Sequence, residues 1–496
     1  MASETEVVVV GAGPVGLTLA IELARRRVDF RLVDRRVQPR PGTRGCTVWQ
    51  RTLETFDLMG LPTADLRARA VGYQRRVYHP FGEAELAVDL REDEGPYPLP
   101  LLIGQQETER ALTERLQELG GEIERGVRAV DVDQDPDGVR LTLEHRDAAR
   151  ETVRAGWVIS AEGSHSVVRD ALGIPWHTTR FGGTQLVQVD AFVHGLLSDG
   201  PGEAHLYLTG DGFLGDLPLP DGRRRLFAAV ADPDPENQLP PSVEEAEAYV
   251  RKFAGAPDVR LERPLNNWRV RLHSSVAAQF REGRCFLVGD AARTVMPVTA
   301  QGMNTGIQDA FNLGWKLAAV VAGAPAQMLD TYPAERLPVA HDLLTRTERS
   351  FWGGVGTPPT PEAVAAGVAK QQEARGEKAV DYRSSPLSWQ SAERPGLAAG
   401  DRAPQVALLG ADGTATTLYD ELRHGEWVLI GTAAAPGGLP SVRATHLAAT
   451  TRETAGHYAL APGEALLIRP DGYVGYRGAS SRDEDALGYL TRVLGG

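Results

Sequence analysis

Apolar positions near the start of the chain follow two successive patterns. Residues 7–10 form an uninterrupted apolar run, which predicts a buried parallel strand. The segment LTLAIELARRR has the apolar spacing of a helix, and DFRLVDRR then predicts a second strand that ends at Asp34. The pattern therefore predicts a strand–helix–strand unit.

Later segments combine strands and helices in other arrangements. Residues 105–119 have the spacing of an amphipathic helix, and GEIERGVRAVDVDQDPDGVRLTLEH alternates as strands around a Pro-Asp-Gly turn. From 176 to 275, alternation broken by GDG, PDG and PDPDP predicts an antiparallel sheet, which we expect part of 72–100 to join. A long helix near 304–323 is interrupted by polar residues and therefore indicates a core helix rather than a membrane span.

The first strand and helix are joined by a glycine-rich turn, GAGPVG. Gly11, Gly13 and Gly16 give the spacing G-x-G-x-x-G, in which the first glycine allows a tight turn, the second lets the backbone approach a pyrophosphate, and the third lets the helix pack closely. Asp34 stands where an acid accepts hydrogen bonds from a ribose hydroxyl. The motif predicts dinucleotide binding without separating FAD from NAD, and a glycine-rich turn in an unrelated α/β fold is the alternative.

A second motif lies far along the chain. GRCFLVGD at 283–290 predicts a strand that ends in Gly289 and Asp290, where ligands gather in open α/β sheets. A loop containing Pro297 follows, and the next helix offers free N–H groups from Gly302, Met303 and Asn304 to an anionic or carbonyl group.

Together these motifs resemble the FAD-dependent aromatic hydroxylases of the para-hydroxybenzoate hydroxylase type, also called class A flavoprotein monooxygenases. VDYRSSPLS at 380–388 and GLAAGDRAPQVALL at 396–409 resemble the sequence that leads into the last domain of the polyketide-tailoring members. The resemblance is carried by GAGPVG, by GRCFLVGDAA followed by QGMNTGIQDAFNLGWKLA, and by LDTYPAERLPVA at 329–340. It covers most of residues 5–345 and implies FAD as cofactor.

The resemblance also implies the residues that contact FAD. Asp290 would bind the ribityl chain, and the start of the 302–304 helix would face the pyrimidine edge of the flavin. Trp49 and Gln50 would lie near the ring system, with a core tryptophan and a capping glutamine as the alternatives; Arg35 covers the adenine side or is an exposed strand-end arginine. The full predicted set is Gly11, Gly13, Pro14, Val15, Gly16, Asp34, Arg35, Arg44, Gln105, Gly289, Asp290, Pro297, Gly302, Met303 and Asn304.

Three positions depart from the pattern of that family, and all three would lie near the flavin. Glu162 replaces an aspartate in an Asp-Gly turn that contacts FAD, Arg293 replaces the usual histidine after GDAA, and Thr299-Ala300 replaces Gly-Gly or Ala-Gly. Glycine permits positive φ and leaves space for a ligand, so side chains at 299 and 300 would narrow the place where oxygen must fit.

The departures leave two enzymatic functions open, besides a flavoprotein that only binds its cofactor. The first is an FAD-binding polyketide-tailoring monooxygenase that uses NADPH or NADH and acts through a flavin C4a-hydroperoxide; the flavin carries the difficult step, so no protein nucleophile and no catalytic residue is predicted. The second is a non-redox [4+2] cyclase that forms a decalin and retains FAD as a structural element. It would act by folding its polyketide-like substrate into a reactive conformer.

The patterns and the resemblance predict an α/β fold with three domains, the last of which is indicated by predicted strands at 427–432 and 464–469 followed by RPDGYVGYRG. A Rossmann-like FAD-binding domain comprises 1–71, 101–175 and 276–350; an antiparallel substrate-binding sheet comprises 72–100 and 176–275; a helix and linker at 351–395 lead to a thioredoxin-like domain at 396–496. GTAAAPGG stands where a thioredoxin would carry C-x-x-C, so we expect a structural or dimer-supporting role there rather than thiol chemistry.

Composition limits the partners. The chain has 53 basic and 66 acidic residues, a net charge of −13, which argues against nucleic acid as a partner. Its two cysteines lie far apart and it lacks a charged-then-apolar leader, so we expect a cytoplasmic protein without disulfides or a membrane anchor. The histidines show no metal-ligand spacing, so no metal site is predicted.

Overall fold

The computed structural model describes residues 3–39, 45–80, 85–92, 95–196, 200–232, 234–297, 300–352, 379–391, 396–410, 413–431, 442–447, 458–461, 463–479 and 486–495. These residues form a mixed α/β fold built on four sheets. Two of the sequence-predicted residues, Arg44 and Thr299, and most of the GTAAAPGG segment lie outside the described residues.

The strands of the described residues are β1 (Ser3–Val10), β2 (Phe30–Asp34), β3 (Thr47–Val48), β4 (Val71–Gly72), β5 (Arg75–Pro80), β6 (Leu86–Asp89), β7 (Leu101–Leu102), β8 (Glu124–Arg125), β9 (Arg128–Asp135), β10 (Gly138–Glu144), β11 (Arg150–Ser160), β12 (Trp176–His194), β13 (Glu203–Thr209), β14 (Gly212–Pro218), β15 (Arg224–Ala231), β16 (Arg260–Ala277), β17 (Arg281–Glu282), β18 (Cys285–Leu287), β19 (Arg293–Thr294), β20 (Trp389–Gln390), β21 (Ala407–Gly410), β22 (Ala415–Thr417), β23 (Trp427–Gly431), β24 (Val442–Leu447), β25 (Glu464–Ile468) and β26 (Val474–Ala479).

The α-helices of the same residues are α1 (Pro14–Arg25), α2 (Gln50–Leu58), α3 (Thr63–Ala68), α4 (Gln105–Glu118), α5 (Val167–Ala171), α6 (Val243–Ala254), α7 (Gly302–Val321), α8 (Thr331–Trp352), α9 (Leu418–Leu422) and α10 (Ala486–Leu494). Short 3₁₀ turns lie at Gly289–Ala291 and Ala326–Asp330. No helix within the described ranges is both long and apolar enough to cross a lipid bilayer.

The first sheet carries both glycine motifs. Its central order is β17-β18-β11-β1-β2-β8, with the β9–β10 hairpin paired to β11. Strand β1 pairs in parallel with β2 and β11, and β11 pairs in parallel with β18. Val7 and Val9 pack into the helical core while Val8 and Val10 pack against the hairpin side, so both faces of β1 are buried, as an uninterrupted apolar run requires.

The second sheet has the order β19-β16-β12-β15-β14-β13-β5-β6. The prediction of a purely antiparallel sheet is wrong at one pairing, because β5 runs parallel to β13. The chain enters β5 from the small β3-β7-β4 sheet rather than from β13 by a hairpin, and only a hairpin forces antiparallel pairing. One face of this sheet packs under α6, and the other carries an apolar cluster that includes Phe213, Phe227 and Met296.

The third sheet, of order β20-β26-β25-β23-β24-β21-β22, packs against the end of α7. Trp427 of β23 meets Trp315 of α7 edge to face, with ring centroids 5.5 Å apart. The C-terminal residues therefore support a helix that begins at the second glycine motif.

The polar interruptions of α7 anchor a buried ion cluster. Lys316 and Asn312 both donate to Glu335 of α8, at 2.7 and 2.6 Å. Arg469, in the turn after β25, donates to the two oxygens of Glu335 at 2.7 and 2.9 Å. The sequence pattern predicts only that these polar residues disfavour a membrane span, and the structure shows that they join α7, α8 and the third sheet.

Candidate functional site

The three glycines of the first motif have different reasons to be glycine. Gly11 has a φ of +106°, and a side chain there would overlap the carbonyl oxygen of Ala161. A side chain at Gly16 would overlap the carbonyl oxygen of Gly11. Gly13 has φ −80° and ψ −176°, which any residue adopts, and a Cβ there would meet no atom within 4 Å. The fold does not require glycine at position 13, and the space before it is open to a ligand.

Helix α1 directs backbone donors into that space. Its N-cap is Gly13, its first residue is Pro14, and no side chain caps it. The N–H groups of Val15 and Gly16 therefore lack a side-chain acceptor at the positive end of the helix dipole. Such a helix start suits an anionic phosphate.

Asp34 lies beside this turn at the end of β2. Its Oδ2 accepts a hydrogen bond from the N–H of Ala12 at 2.8 Å, and its Oδ1 accepts one from the N–H of Arg36 at 2.7 Å. The side chain is 5% exposed, so two backbone donors fix the carboxylate while each oxygen keeps acceptor capacity. Arg35, the next residue, is exposed.

The second motif meets the first at Val15. Gly289 has a φ of +60°, and a Cβ there would lie 2.9 Å from Val15 Cγ2. A Cβ at Gly306 of α7 would lie 2.7 Å from the same atom. Val15 therefore fills a groove between the 3₁₀ turn at Gly289–Ala291 and α7, which brings two motifs from opposite ends of the first 310 residues together.

Asp290 and the start of α7 lie next to each other. A Cβ at Gly302 would be 4.0 Å from Asp290 Oδ1, and Asp290 is exposed. Helix α7 begins at Gly302 with no side-chain cap. A carboxylate and a second uncapped helix start therefore flank the same surface.

Gln105 and Met303 reach this surface from two other elements. The N–H of Gly45 donates to Gln105 Oε1 at 3.2 Å, and a Cβ at Gly45 would lie 3.7 Å from Met303 Sδ. The first turn of α4, the segment before β3 and the first turn of α7 thus converge. Three of the predicted segments, each distant in sequence, are neighbours here.

The side chain of Asn304 is fully used within the protein. Its Oδ1 accepts from the N–H of Trp49 at 3.0 Å and from Thr52 Oγ1 at 2.8 Å. Its Nδ2 donates to the carbonyls of Thr47 and Ala300 at 3.0 and 2.8 Å. The amide clamps α2 to the start of α7, a role that the sequence analysis missed because all but one of its partners lie about 250 residues away in sequence.

Glu162 is turned toward the protein. Its Oε2 accepts from Ser160 Oγ and Ser166 Oγ, at 2.9 and 2.8 Å, and its carboxylate also accepts from the N–H groups of Val167 and Val168. The longer glutamate side chain thus caps the short helix α5. The substitution therefore has a structural use that the sequence analysis did not foresee.

The side chain of Arg293, a residue that the sequence predicts near the flavin, is buried within the protein. Arg293 belongs to β19, is 2% exposed and forms an ion pair with Asp309, which also accepts from the Nε of Arg336 at 2.7 Å. Asp309 Oδ2 accepts the N–H of Gly289 at 3.2 Å. Arg293 therefore stabilises the second motif indirectly, because its partner Asp309 also binds the backbone N–H of Gly289.

The turn before α7 holds a strained residue. Ala300 has a φ of +53°, the left-handed conformation that glycine adopts without cost. Its N–H donates to the carbonyl of Pro297 at 3.3 Å, and its own carbonyl accepts from Asn304. The turn thus keeps a conformation that favours glycine although its sequence carries a methyl group.

Gln50 and Trp49, at the start of α2, have separate surroundings. Gln50 Nε2 donates to the carbonyl of Leu90 at 3.0 Å, which is a structural contact. Trp49 stands 6.3 Å from Tyr73 between ring centroids, and its indole N–H is buried without a hydrogen-bond partner in the described part of the chain.

The donor set of this surface fits a dinucleotide. Two uncapped helix starts supply N–H donors, Asp34 and Asp290 supply carboxylates at strand ends, and Gly13 leaves open space between them. This is the arrangement that phosphate and polyol groups require in open α/β sheets.

Comparisons with known proteins agree with this geometry. The family described as FAD binding domain matches residues 4–347, and the family described as aromatic-ring hydroxylase, C-terminal, matches residues 397–496. The 6-methylpretetramide 4-monooxygenase of Streptomyces rimosus is 35% identical, over 96% of this chain and 91% of its own. The dialkyldecalin synthase of Streptomyces rugosporus is 31% identical, over 97% of each chain.

A solved structure extends the similarity to the whole fold. The OxyS anhydrotetracycline hydroxylase from Streptomyces rimosus superimposes with a TM-score of 0.78 at 27% identity and 99% coverage of both chains. By sequence and by fold, the chain therefore belongs to the family of FAD-binding aromatic-ring monooxygenases.

Proposed function

We propose that this chain holds FAD where its two glycine motifs meet and hydroxylates a small polyketide-like substrate, with NADPH or NADH as the reductant. The observation that carries the proposal is the contact of Val15 with Gly289 and Gly306, which joins the two motifs into one surface. The monooxygenases among the relatives support the reaction class.

Different residues of the site would bind different parts of FAD. The turn at Gly11, Gly13 and Gly16 and the start of α1, at Pro14 and Val15, would hold the pyrophosphate, and Asp34 would hold the ribose with Arg35 beside the adenine. Asp290 would hold the ribityl chain, and backbone N–H groups at the start of α7 would face the pyrimidine edge. The remaining proposed contacts are Gln105, Gly289, Pro297, Gly302, Met303, Asn304 and, outside the described residues, Arg44.

When bound, FAD would supply hydride acceptance and the activation of molecular oxygen. The chain itself supplies binding, orientation and exclusion of water. The apolar face of the second sheet, with Phe213, Phe227 and Met296, would contact the substrate and keep water from the reacting atoms.

The same proposal assigns roles to the larger units. The first sheet and its helices would form a Rossmann-like domain from 1–71, 101–175 and 276–350, and the second sheet a substrate domain from 72–100 and 176–275. Residues 396–496, which contain every strand of the third sheet except β20, would be thioredoxin-like without redox thiols, following the linker at 351–395. The contacts of this sheet with α8 through Arg469 and with α7 through Trp427 favour a structural role.

The proposal is tested by mixing the purified protein with NADPH or NADH, with and without a panel of phenolic polyketide substrates. We expect the visible absorption of the flavin to bleach and oxygen to be consumed, more rapidly when a substrate is present. A protein that binds no flavin, or whose flavin is not reduced under any of these conditions, contradicts the proposal.

A non-redox [4+2] cyclase is the second candidate. The strained Ala300 favours it, because a methyl group at φ +53° stands in the turn where oxygen would have to fit. The similarity to the dialkyldecalin synthase points the same way. In a cyclase the site would act by folding the substrate into a reactive conformer.

Replacing both Thr299 and Ala300 by glycine tests whether this turn restricts oxygen chemistry. We expect the rate of NADPH oxidation to rise by about tenfold if removing the side chains lowers the barrier by about 1.4 kcal/mol. The rate is measured as oxygen-dependent loss of NADPH absorbance, with Ala300→Gly alone as the matched variant. An unchanged rate in both variants would remove the turn as an explanation.

Replacing Asp290 by alanine tests the proposed ribityl contact. We expect the dissociation constant for FAD to rise about ten- to hundredfold, because one charge-assisted hydrogen bond contributes about 1.5–3 kcal/mol. Asp258→Ala is the matched control, since Asp258 is also exposed but lies in the loop before β16. Equal FAD affinity in the two variants would refute the assignment.

A further inference from the structure

Strand β5 carries a cation without a described carboxylate partner. Arg76 donates from Nε to Tyr73 OH at 2.8 Å and from Nη1 to Tyr78 OH at 3.4 Å. No Asp or Glu in the described part of the chain forms an ion pair with it. The titratable groups that face it are Tyr73 and Tyr78, with Cys46 beyond Tyr73.

An indole donor without a partner stands beside this cation. The Arg76 guanidinium carbon lies 6.0 Å from the ring centroid of Trp49 and 5.5 Å from that of Tyr73. The Nε1 of Trp49 is buried and donates to nothing in the described residues. A buried donor without an acceptor is costly, and an arriving ligand oxygen would satisfy it.

The pair lies next to the proposed flavin site. The backbone N–H of Trp49 donates to Asn304 in the first turn of α7, so the indole extends from that helix start toward β5. Tyr73 packs with Cys46 and Leu102, which belong to the segments beside the site. Because side chains alternate along a strand, Arg75 points to the opposite face, where it pairs with Glu203.

We propose that Arg76 and the indole N–H of Trp49 bind an anionic oxygen of the substrate, either a carboxylate or an ionised hydroxyl of a polyketide-derived ring. The proposal rests on the proposed function and specifies its substrate: the ligand carries a negative oxygen at the end that lies against β5. Arginine binds such oxygens strongly because its guanidinium group is always positively charged and carries several N–H donors. Both donors are specificity-determining residues that contact substrate, and neither takes part in bond making.

The test compares three anthraquinone probes by calorimetric titration of the purified native protein, whose flavin content is recorded for each preparation. Anthraquinone-2-carboxylate carries a carboxylate, alizarin above its first pKa carries an ionised hydroxyl, and 2-(hydroxymethyl)anthraquinone is neutral. We expect one or both anionic probes to bind about ten- to hundredfold more tightly than the neutral probe. The anionic probe that is favoured identifies the kind of oxygen.

Variants then assign the preference to the two donors. Arg76→Met and Arg76→Gln should remove most of the preference for the anionic probes without lowering the affinity for the neutral probe. Trp49→Phe should reduce this preference, because it removes the indole N–H but keeps an aromatic ring. Arg75→Met, on the same strand but the opposite face, should keep it. Three results would overturn the proposal. The native protein binds none of the probes, it shows no preference for the anionic probes, or its preference persists in both Arg76 variants.

The visible flavin spectrum of each preparation distinguishes a failure of the proposed anion site from a failure of the proposed function. A native protein without flavin contradicts the proposed function, and its probe preference still decides the anion site. A native protein with reducible flavin and no charge preference contradicts the anion site alone.

Discussion

Replacing Gly13 by valine is expected to give a folded protein that has lost its FAD. A Cβ at this position meets no protein atom within 4 Å, and the backbone there, at φ −80° and ψ −176°, suits an L-residue. The valine would instead occupy the space before the start of α1, where we place the pyrophosphate. If two charge-assisted hydrogen bonds are lost, at about 1.5–3 kcal/mol each, affinity for FAD falls by more than about hundredfold.

The effect is measured as FAD content and dissociation constant, together with the far-ultraviolet circular dichroism that reports folding. Gly182→Val is the matched control. A Cβ at Gly182 also meets no atom within 4 Å, and this residue lies in β12, away from the start of α1. Gly11→Val and Gly16→Val are unsuitable, since their side chains would overlap backbone carbonyls. If Gly13→Val retains stoichiometric FAD, the phosphate site is not before α1.

Replacing Glu335 by glutamine is expected to destabilise the protein by about 3–5 kcal/mol, because it removes the carboxylate that pairs with the buried Lys316 and one of the two carboxylates, with Asp471, that pair with the buried Arg469. Glu335 accepts from Arg469, Lys316, Asn312 and Ser385, and its side chain is 1% exposed. Unfolding in urea and thermal inactivation both measure the loss. Glu114→Gln, in an exposed pair with Arg110, is the control and should cost no more than about 1 kcal/mol.

The same residue sets an acid dependence. Burial opposes ionisation of Glu335, but Arg469 and Lys316 outweigh it and hold the pKa of the carboxyl well below its ordinary value of 4.5. Its contribution is therefore complete above pH 4.5 and is lost as pH falls toward the lower pKa of the folded state. We expect Glu335→Gln to show a weaker fall in stability with acid below pH 4.5; an equal fall in both proteins would contradict this account.

Secondary-structure elements that depend on short sequence patterns were predicted well. The apolar run at 7–10, the glycine turn and the helical spacing after it placed β1, α1 and β2, and the predicted helix at 105–119 is α4. The strand predicted at 283–290 is shorter, Cys285–Leu287, because Gly283 and Gly289 both adopt positive φ and turn the chain at each end.

Side-chain roles with distant partners could not be predicted. The spacing G-x-G-x-x-G predicts a tight turn at Gly11, an open approach at Gly13 and close packing at Gly16. It does not reveal that the carbonyls of Ala161 and Gly11 are the groups that a side chain at Gly11 or Gly16 would overlap. The sequence predicts Arg293 near the flavin but does not reveal its buried ion pair with Asp309. Arg76 carried no motif, and it stands out only because β5 places it between Tyr73 and Trp49.

The mass of the product tests the central claim most directly. The native protein is incubated with NADPH, a phenolic polyketide that bleaches its flavin, and ¹⁸O₂, and substrate and product are compared by mass spectrometry. We expect the product to gain one oxygen atom that carries the heavy isotope. A product of unchanged mass, formed equally well without NADPH, would contradict hydroxylation and assign the site to a cyclisation instead.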